Sequence, residues 1–269
     1  MTSSKAQAGL SIVELLVALV ISMLLMTGVV QVFLASKQTY ASNEAASRLQ
    51  ENGRFALEFI AQSARHAGYV EVANNTLESL PRPVMETADA GCDGTLCSSQ
   101  GIDGNPDASD SIAFSFQPRL LDGARRDCLG NTNIGGSNIE NTDVIVNHFF
   151  IENEGTGESA LACNSRHVRG KTESTSSVLV EGIDALQVQY GIGTTGSVTR
   201  YVSADRVDNW NNVLAVRIAV LANSIAQVNP PTPADRQYVL LDAAPLNFAD
   251  GKARQVFTTT IKLRNTGEP

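Results

Sequence analysis

The chain has 269 residues, 43% hydrophobic and 18% charged, with 21 Gly and 9 Pro. This globular composition excludes a disordered, collagen-like or coiled-coil protein. Twenty Lys and Arg against 28 Asp and Glu leave a net charge of −8, which gives no general drive towards polyanions, so no nucleic-acid partner is expected.

Residues 1–9 (MTSSKAQAG) form a polar leader carrying Lys5. Residues 10–35 (LSIVELLVALVISMLLMTGVVQVFLA) are apolar apart from Glu14 and a few small polar residues. As helix at about 1.5 Å per residue they reach about 39 Å, enough to cross a bilayer. In a secretory signal peptide the small residues of the cut follow the apolar run; here Ala8-Gly9 precede it, so a cut there leaves the helix on the mature chain. Lys5 before the helix and Lys37 after it nearly balance, so charge orients the span only weakly. A carboxylate in such a helix is costly, about 2.5–3.5 kcal/mol by insertion scales for comparable charges at mid-membrane. Glu14 therefore calls for a partner on another molecule, or else for placement by the helix dipole or lipid headgroups.

The run Gly9-Leu10-Ser11-Ile12-Val13-Glu14 resembles the class III signal of type IV prepilins, although many relatives have Phe where this chain has Leu10. The resemblance implies cleavage between Gly9 and Leu10 by prepilin peptidase and N-methylation of Leu10. Cleavage would give Leu10 a positive α-amine, which in a bundle of staggered helices can meet the Glu14 of a neighbour.

Residues 36–68 continue the helix without Pro. Leu49, Gly53, Ala56, Ile60 and Ala64 recur at helical spacing, widened by Phe55 and Phe59, opposite a solvated face of Glu44, Arg48, Glu51, Arg54, Glu58 and Arg65. Gly53 costs about 1 kcal/mol relative to Ala, which suggests close packing, and Gly68 suits a C-cap. The expected organisation is a leader (1–9), a transmembrane and assembly helix (10–35), its amphipathic continuation (36–68) and a β-rich head (69–269).

In the head, the clearest strands are residues 112–116 (IAFSF), 144–151 (VIVNHFFI), 185–190 (ALQVQY), 213–222 (VLAVRIAVLA) and 256–263 (VFTTTIKL). With no alternating helices between them, the expected class is α+β, a long N-terminal helix packed on an antiparallel sheet with long loops. Cys92, Cys97, Cys128 and Cys163 all follow the apolar segment. An even count there suggests two disulfides and an oxidising compartment, periplasmic or extracellular. Of three possible pairings, Cys92–Cys97 across a turn and Cys128–Cys163 across the longer loop are favoured, contributing about 2 and about 4 kcal/mol by loop entropy. A zinc site using these cysteines with His167 is the rival, weakened by poor ligand spacing.

Three further patterns invite chemistry. Residues 191–196 (GIGTTG) match GxGxxG, but the alternating SVTRYVSA that follows reads as a returning strand, so no dinucleotide cofactor is expected. Asp103, Asn105, Asp107 and Asp110 space oxygens like a calcium loop, yet Ala108 and Phe114 stand where an EF-hand needs Gly and Glu. They form a weak calcium candidate; a polar turn is the preferred reading. His66, His148 and His167 lie far apart, and no GxSxG, HExxH or P-loop occurs, so no enzyme activity is expected.

Residues 52–69 (NGRFALEFIAQSARHAGY), 179–192 (LVEGIDALQVQYGI), 201–224 (YVSADRVDNWNNVLAVRIAVLANS) and 254–265 (RQVFTTTIKLRN) resemble minor pilins of the PilW type. That resemblance implies a type IV pilin-like fold and a low-abundance subunit of an assembly-priming complex at the pilus tip. It implies as partners other minor pilins and the major pilin through the N-terminal helix, the assembly platform, prepilin peptidase and the inner membrane, with a periplasmic head before assembly. J-type pseudopilins of type II secretion are the nearest alternative, and a membrane-tethered periplasmic binding protein is the alternative outside the superfamily.

Overall fold

The computed structural model describes residues 11–71, 83–84, 96–101, 109–152, 159–168, 173–194, 196–228 and 230–265. Its first element is helix α1 (Ile12–His66). Two compact units divide the chain, the second beginning at Ala45.

In the first unit, the helix carries an 18-residue window of mean hydropathy 2.5, long and apolar enough to cross a membrane. Three of its hydroxyls are satisfied within the helix. Ser22 Oγ donates to Ala18 O at 2.7 Å, Thr27 Oγ1 to Met23 O at 2.9 Å and Thr39 Oγ1 to Ala35 O at 2.9 Å. Hydrocarbon would meet no unpaired hydroxyl there. Lys37 Nζ lies 5.1 Å from the centre of the Phe33 ring, where the apolar run ends.

In the second unit, α1 buries Leu49, Gly53, Ala56, Ile60, Ala61, Ser63 and Ala64. Small side chains dominate this stripe because strands approach closely. Built on Gly53, a Cβ would lie 2.3 Å from the Phe257 ring, so the glycine that weakens the helix locally admits an aromatic ring. Phe59 is half-buried against the core, but Phe55 is 50% exposed and lies outside the stripe that it was expected to widen. We expect Gly53→Leu to destabilise the head by about 1–3 kcal/mol through overpacking, outweighing its better helix propensity. Urea denaturation of the detergent-solubilised chain checks this.

Gly68 ends the helix at φ +74°. Its N–H donates to Ser115 O at 2.8 Å, and a Cβ would lie 2.4 Å from Asn265 O, so both conformation and space demand glycine.

The strands among the described residues are β1 (Ile112–Phe116), β2 (Asn133–Ile134), β3 (Ser137–Asn138), β4 (Ile145–Glu152), β5 (Ala160–His167), β6 (Ser177–Glu181), β7 (Ile183–Thr194), β8 (Ser197–Val202), β9 (Val213–Gln227), β10 (Gln237–Tyr238), β11 (Leu246–Asn247) and β12 (Lys252–Lys262), with two single-turn 3-10 helices, Ala204–Arg206 and Trp210–Asn212, between β8 and β9. The expected single sheet is two four-stranded antiparallel sheets, ordered β1-β4-β5-β6 and β12-β9-β7-β8, with two small hairpins, β2-β3 and β10-β11. Gly182 (φ +71°) carries the chain from β6 in one sheet to β7 in the other, its N–H donating to Ser159 O and its carbonyl accepting from Asn223 N. One core joins the helix stripe to both sheets through Phe114, Phe149, Leu161, Leu186, Val188 and Ile218. The fold is α+β. Of the residues that match GxGxxG, Gly191 and Gly193 pair opposite Tyr201 and Val198 in the β7–β8 hairpin, and strand β8 stands where a dinucleotide site needs a helix N-terminus.

Candidate functional site

The first turn of α1 is organised by Ser11, whose role the sequence reading did not single out. Its Oγ accepts from Val13 N at 3.3 Å, and its carbonyl accepts from Glu14 N and Leu15 N at 3.1 and 3.2 Å. Ser11-Ile12-Val13-Glu14 thus has the Ser-x-x-Glu spacing of a capping box, a signal legible in the sequence. Glu14 sits in the first turn, where the helix dipole favours its charge, and its residue is exposed. Among the described residues before Glu44 it is the one acid, and the one base there, Lys37, lies at the far end of the apolar run. Gly9 and Leu10 lie outside the described residues.

The other predicted positions lie in the head, and the structure disperses them. Cys128 and Cys163 are joined by a disulfide that ties the loop before β2 to β5. Cys97 is also disulfide-bonded, and Cys92 lies outside the described residues. Beside the first bond, Asn147 Oδ1 accepts from Ser165 Oγ at 2.8 Å, and Asn147 Nδ2 donates to Ser63 Oγ of α1 at 3.2 Å. The disulfide closes a separation of 35 residues. Cys128→Ser with Cys163→Ser should therefore lower stability by about 4 kcal/mol, read from the urea midpoint under non-reducing conditions.

Asp103, Asn105 and Asp107 lie outside the described residues. Asp110, the last member of the calcium candidate, has another occupation. Its Oδ1 accepts from Gly101 N at 2.7 Å, its Oδ2 from Val188 N at 2.8 Å, and its own N–H donates to Leu186 O. It is buried, and it extends the ladder of β7 beyond the reach of β8. Among the described residues no cluster of three His, Cys, Asp or Glu could hold a metal.

The histidines do not converge. His66 ends α1, its ring centre 6.1 Å from that of Phe116. His148 and His167 fall on opposite faces of their sheet, because His167 shares its face with Ile145 and His148 belongs to the alternate set. His167 Nδ1 lies 3.5 Å from Asp143 Oδ2. His148 stacks on Phe150 at 5.1 Å and has Asn164 Oδ1 3.1 Å from Nδ1. Burial lowers its pKa from the usual 6.5 to about 4, against the opposing effect of Asn164. Between those values the unfolded chain binds the proton that the folded chain refuses, so stability falls as pH falls from 6.5 towards 4. From pH 7 to pH 5 the loss should be about 2 kcal/mol. His148→Phe should remove that part of the slope, measured by urea denaturation at the two pH values.

One buried charged cluster was invisible to local patterns. Arg254, buried on β12, donates through Nε to Asp184 Oδ2 and through Nη1 and Nη2 to the two oxygens of Asp250, each at 2.6 Å, and stacks 3.8 Å over the Phe248 ring. Asn223 Nδ2 on β9 holds the other oxygen of Asp184 at 2.7 Å. Burial opposes the guanidinium charge, but the two carboxylates outweigh it and raise its pKa. Hydrogen bonding from Arg254 in turn lowers that of Asp250. The cluster clamps β7, β9 and β12 where both of their ladders slip register, at Ile183/Ala185 and Lys252/Arg254. Bound to one another by these charge-assisted hydrogen bonds, the groups act as a fastener between strands.

A model of the family Type IV Pilus-assembly protein W (PilW) matches residues 148–265, and the prokaryotic N-terminal methylation motif matches residues 4–30. Among solved structures, the type IV-like pilin TTHA1219 from Thermus thermophilus is similar at 17% identity and a TM-score of 0.44, covering 82% of this chain and all of that one. No curated protein matches.

Proposed function

We propose that this chain, whose residues 4–30 match the prokaryotic N-terminal methylation motif and whose residues 148–265 match the PilW family model, is a PilW-type minor subunit of the assembly-priming complex at the tip of a type IV pilus. The observation that carries the reading is an apolar, membrane-length helix with one acid in its first turn, joined in sequence to a PilW region.

Prepilin peptidase removes residues 1–9. The helix over residues 10–35 waits in the inner membrane, and the amphipathic residues 36–68 lead to a periplasmic head over 69–269. Leader removal frees the Leu10 amine, which is then methylated. Low dielectric draws that amine to the Glu14 of a neighbouring pilin, because each charge is costly in hydrocarbon without the other. Apolar helix packing then holds the subunits together. The Cys128–Cys163 bond supports an oxidising compartment for the head. Other minor pilins, the major pilin and the assembly platform are the partners.

Gold labelling of the head on sheared filaments tests the tip placement. Label confined to filament ends is expected; label spaced along the shaft overturns it. Deletion should abolish pili and leave exoprotein secretion intact, whereas the converse would mark a pseudopilin.

A further inference from the structure

Residues 118–126 (PRLLDGARR) build a rigid hairpin where α1 ends. Leu121 and Ala124 exchange both backbone hydrogen bonds at 2.9 Å, around Asp122 and Gly123 at φ +49° and +75°. This is the two-residue turn with both central residues left-handed, for which Asp-Gly is a preferred pair. The stem is fastened by Arg125, 8% exposed, which donates to Pro118 O and, at 2.9 Å, to the Glu71 carboxylate. Gln117 adds a bond from its N–H to Tyr69 O at 2.9 Å.

On this braced support stand Leu120 and Leu121, 62% and 60% exposed, the two most exposed large apolar residues described beyond Ala45. A solvated turn has no need of them, and an adjacent apolar pair on a fixed support is the signature of a contact surface. Leu121 also overhangs a cleft of about 500 Å³ lined by Phe59 and His66 of α1, Phe116, Leu129 and Arg126.

The charge of this surface opposes that of the chain. Arg119, stacked 4.5 Å over Tyr69, and Arg126, bonded to Gly130 O at 2.8 Å, are exposed at the cleft. The one carboxylate lining it, Asp127, is buried and turned to the amides of Leu129 and Asn131 at 2.9 and 2.8 Å. Asp122, exposed at the tip of the turn, is the one acid within residues 118–126, against Arg119 and Arg126 at the cleft. Burial holds the His66 pKa below its ordinary value, and Arg119 and Arg65 lower it further, which marks the local field as positive.

We infer that the Leu120–Leu121 hairpin and the cleft beneath it dock a neighbouring pilin through a segment that sets an apolar side chain beside carboxylates. This rests on the assembly reading above, under which the chain's durable neighbours are other pilins. The leucines would supply the desolvated centre of the contact, and the arginines its rim and partner choice.

The test places the photo-crosslinking residue p-benzoylphenylalanine at Leu121 in the full-length chain, in cells carrying the whole pilus machinery. Val239, 52% exposed and outside the cleft, serves as control. Expected is an adduct with a different pilin through a peptide containing Asp or Glu, absent from the Val239 control. Arg119→Glu with Arg126→Glu should cut its yield at least tenfold while head protease resistance is unchanged, and an acid-to-Arg exchange in the partner peptide should restore it. An adduct with a second copy, a lipid or a non-pilin, equal yield in the charge-reversed chain, or no adduct overturns the inference. A pilin adduct in membranes combined with absence from sheared pili would instead overturn the tip reading and leave the docking surface standing.

Discussion

Glu14→Val should leave the amount of chain in the membrane unchanged and reduce its recovery in sheared pili about tenfold or more. A charge-assisted contact of about 1.5–3 kcal/mol corresponds to roughly a ten- to hundredfold change in association. Valine makes the helix more apolar, so insertion itself is not impaired. Glu14→Gln separates the two roles available to this residue. Glutamine at the third helical position satisfies the capping pattern set by Ser11 but carries no charge. If the Gln chain is lost from pili like the Val chain, the charge is what assembly reads; if it enters pili normally, the residue acts as a cap.

The largest expected loss of stability follows from Arg254→Ala, about 3–5 kcal/mol, because Asp184 is left charged and buried without its partner. Asp250, at 31% exposure, can turn to water and adds little to that loss. Arg254→Met combined with Asp184→Asn should recover part of it, since no unpaired charge then remains inside. Urea denaturation of the detergent-solubilised chains measures all three. Equal stability of Arg254→Ala and wild type would show that the register slips of β7 and β12 hold without the clamp.

What the sequence disclosed and what it hid follows from the range of the interactions. Helix α1 was legible because an unbroken apolar run and then a small-residue stripe are local periodic signals, and even the close approach at Gly53 left a trace in the choice of glycine. Phe55 misled because its spacing fits the stripe, while the strands approach only the side lined by Gly53, Ala56 and Ile60. Strand β1 was legible as a short apolar run between polar turns. Strand β5 was not, because its buried face includes Ser165, an apparent surface residue. Ser165 is bonded to Asn147 on the neighbouring strand and, through its N–H, to Ser174 Oγ at 2.7 Å.

The site residues divide in the same way. Glu14 announced itself by being the wrong kind of residue for its surroundings. Asp110 seemed to belong to the oxygen-rich loop before it, but the N–H that engages its Oδ2 comes from Val188, 78 residues further on. The union of Arg254 with Asp184 spans 70 residues and leaves no pattern in either strand. Pairing of this kind is fixed by which distant segments the fold sets side by side, here three strands of one sheet for Arg254 and Asp184, which no local spacing encodes.

Assembly as proposed requires a helix that stays on the mature protein with a new, charged end. Intact-mass and N-terminal peptide mass spectrometry of the protein recovered from membranes measures this directly. The predicted result is a chain that starts at Leu10 and carries one methyl group on its α-amine. A chain still beginning at Met1, or one cut beyond residue 35, would contradict it.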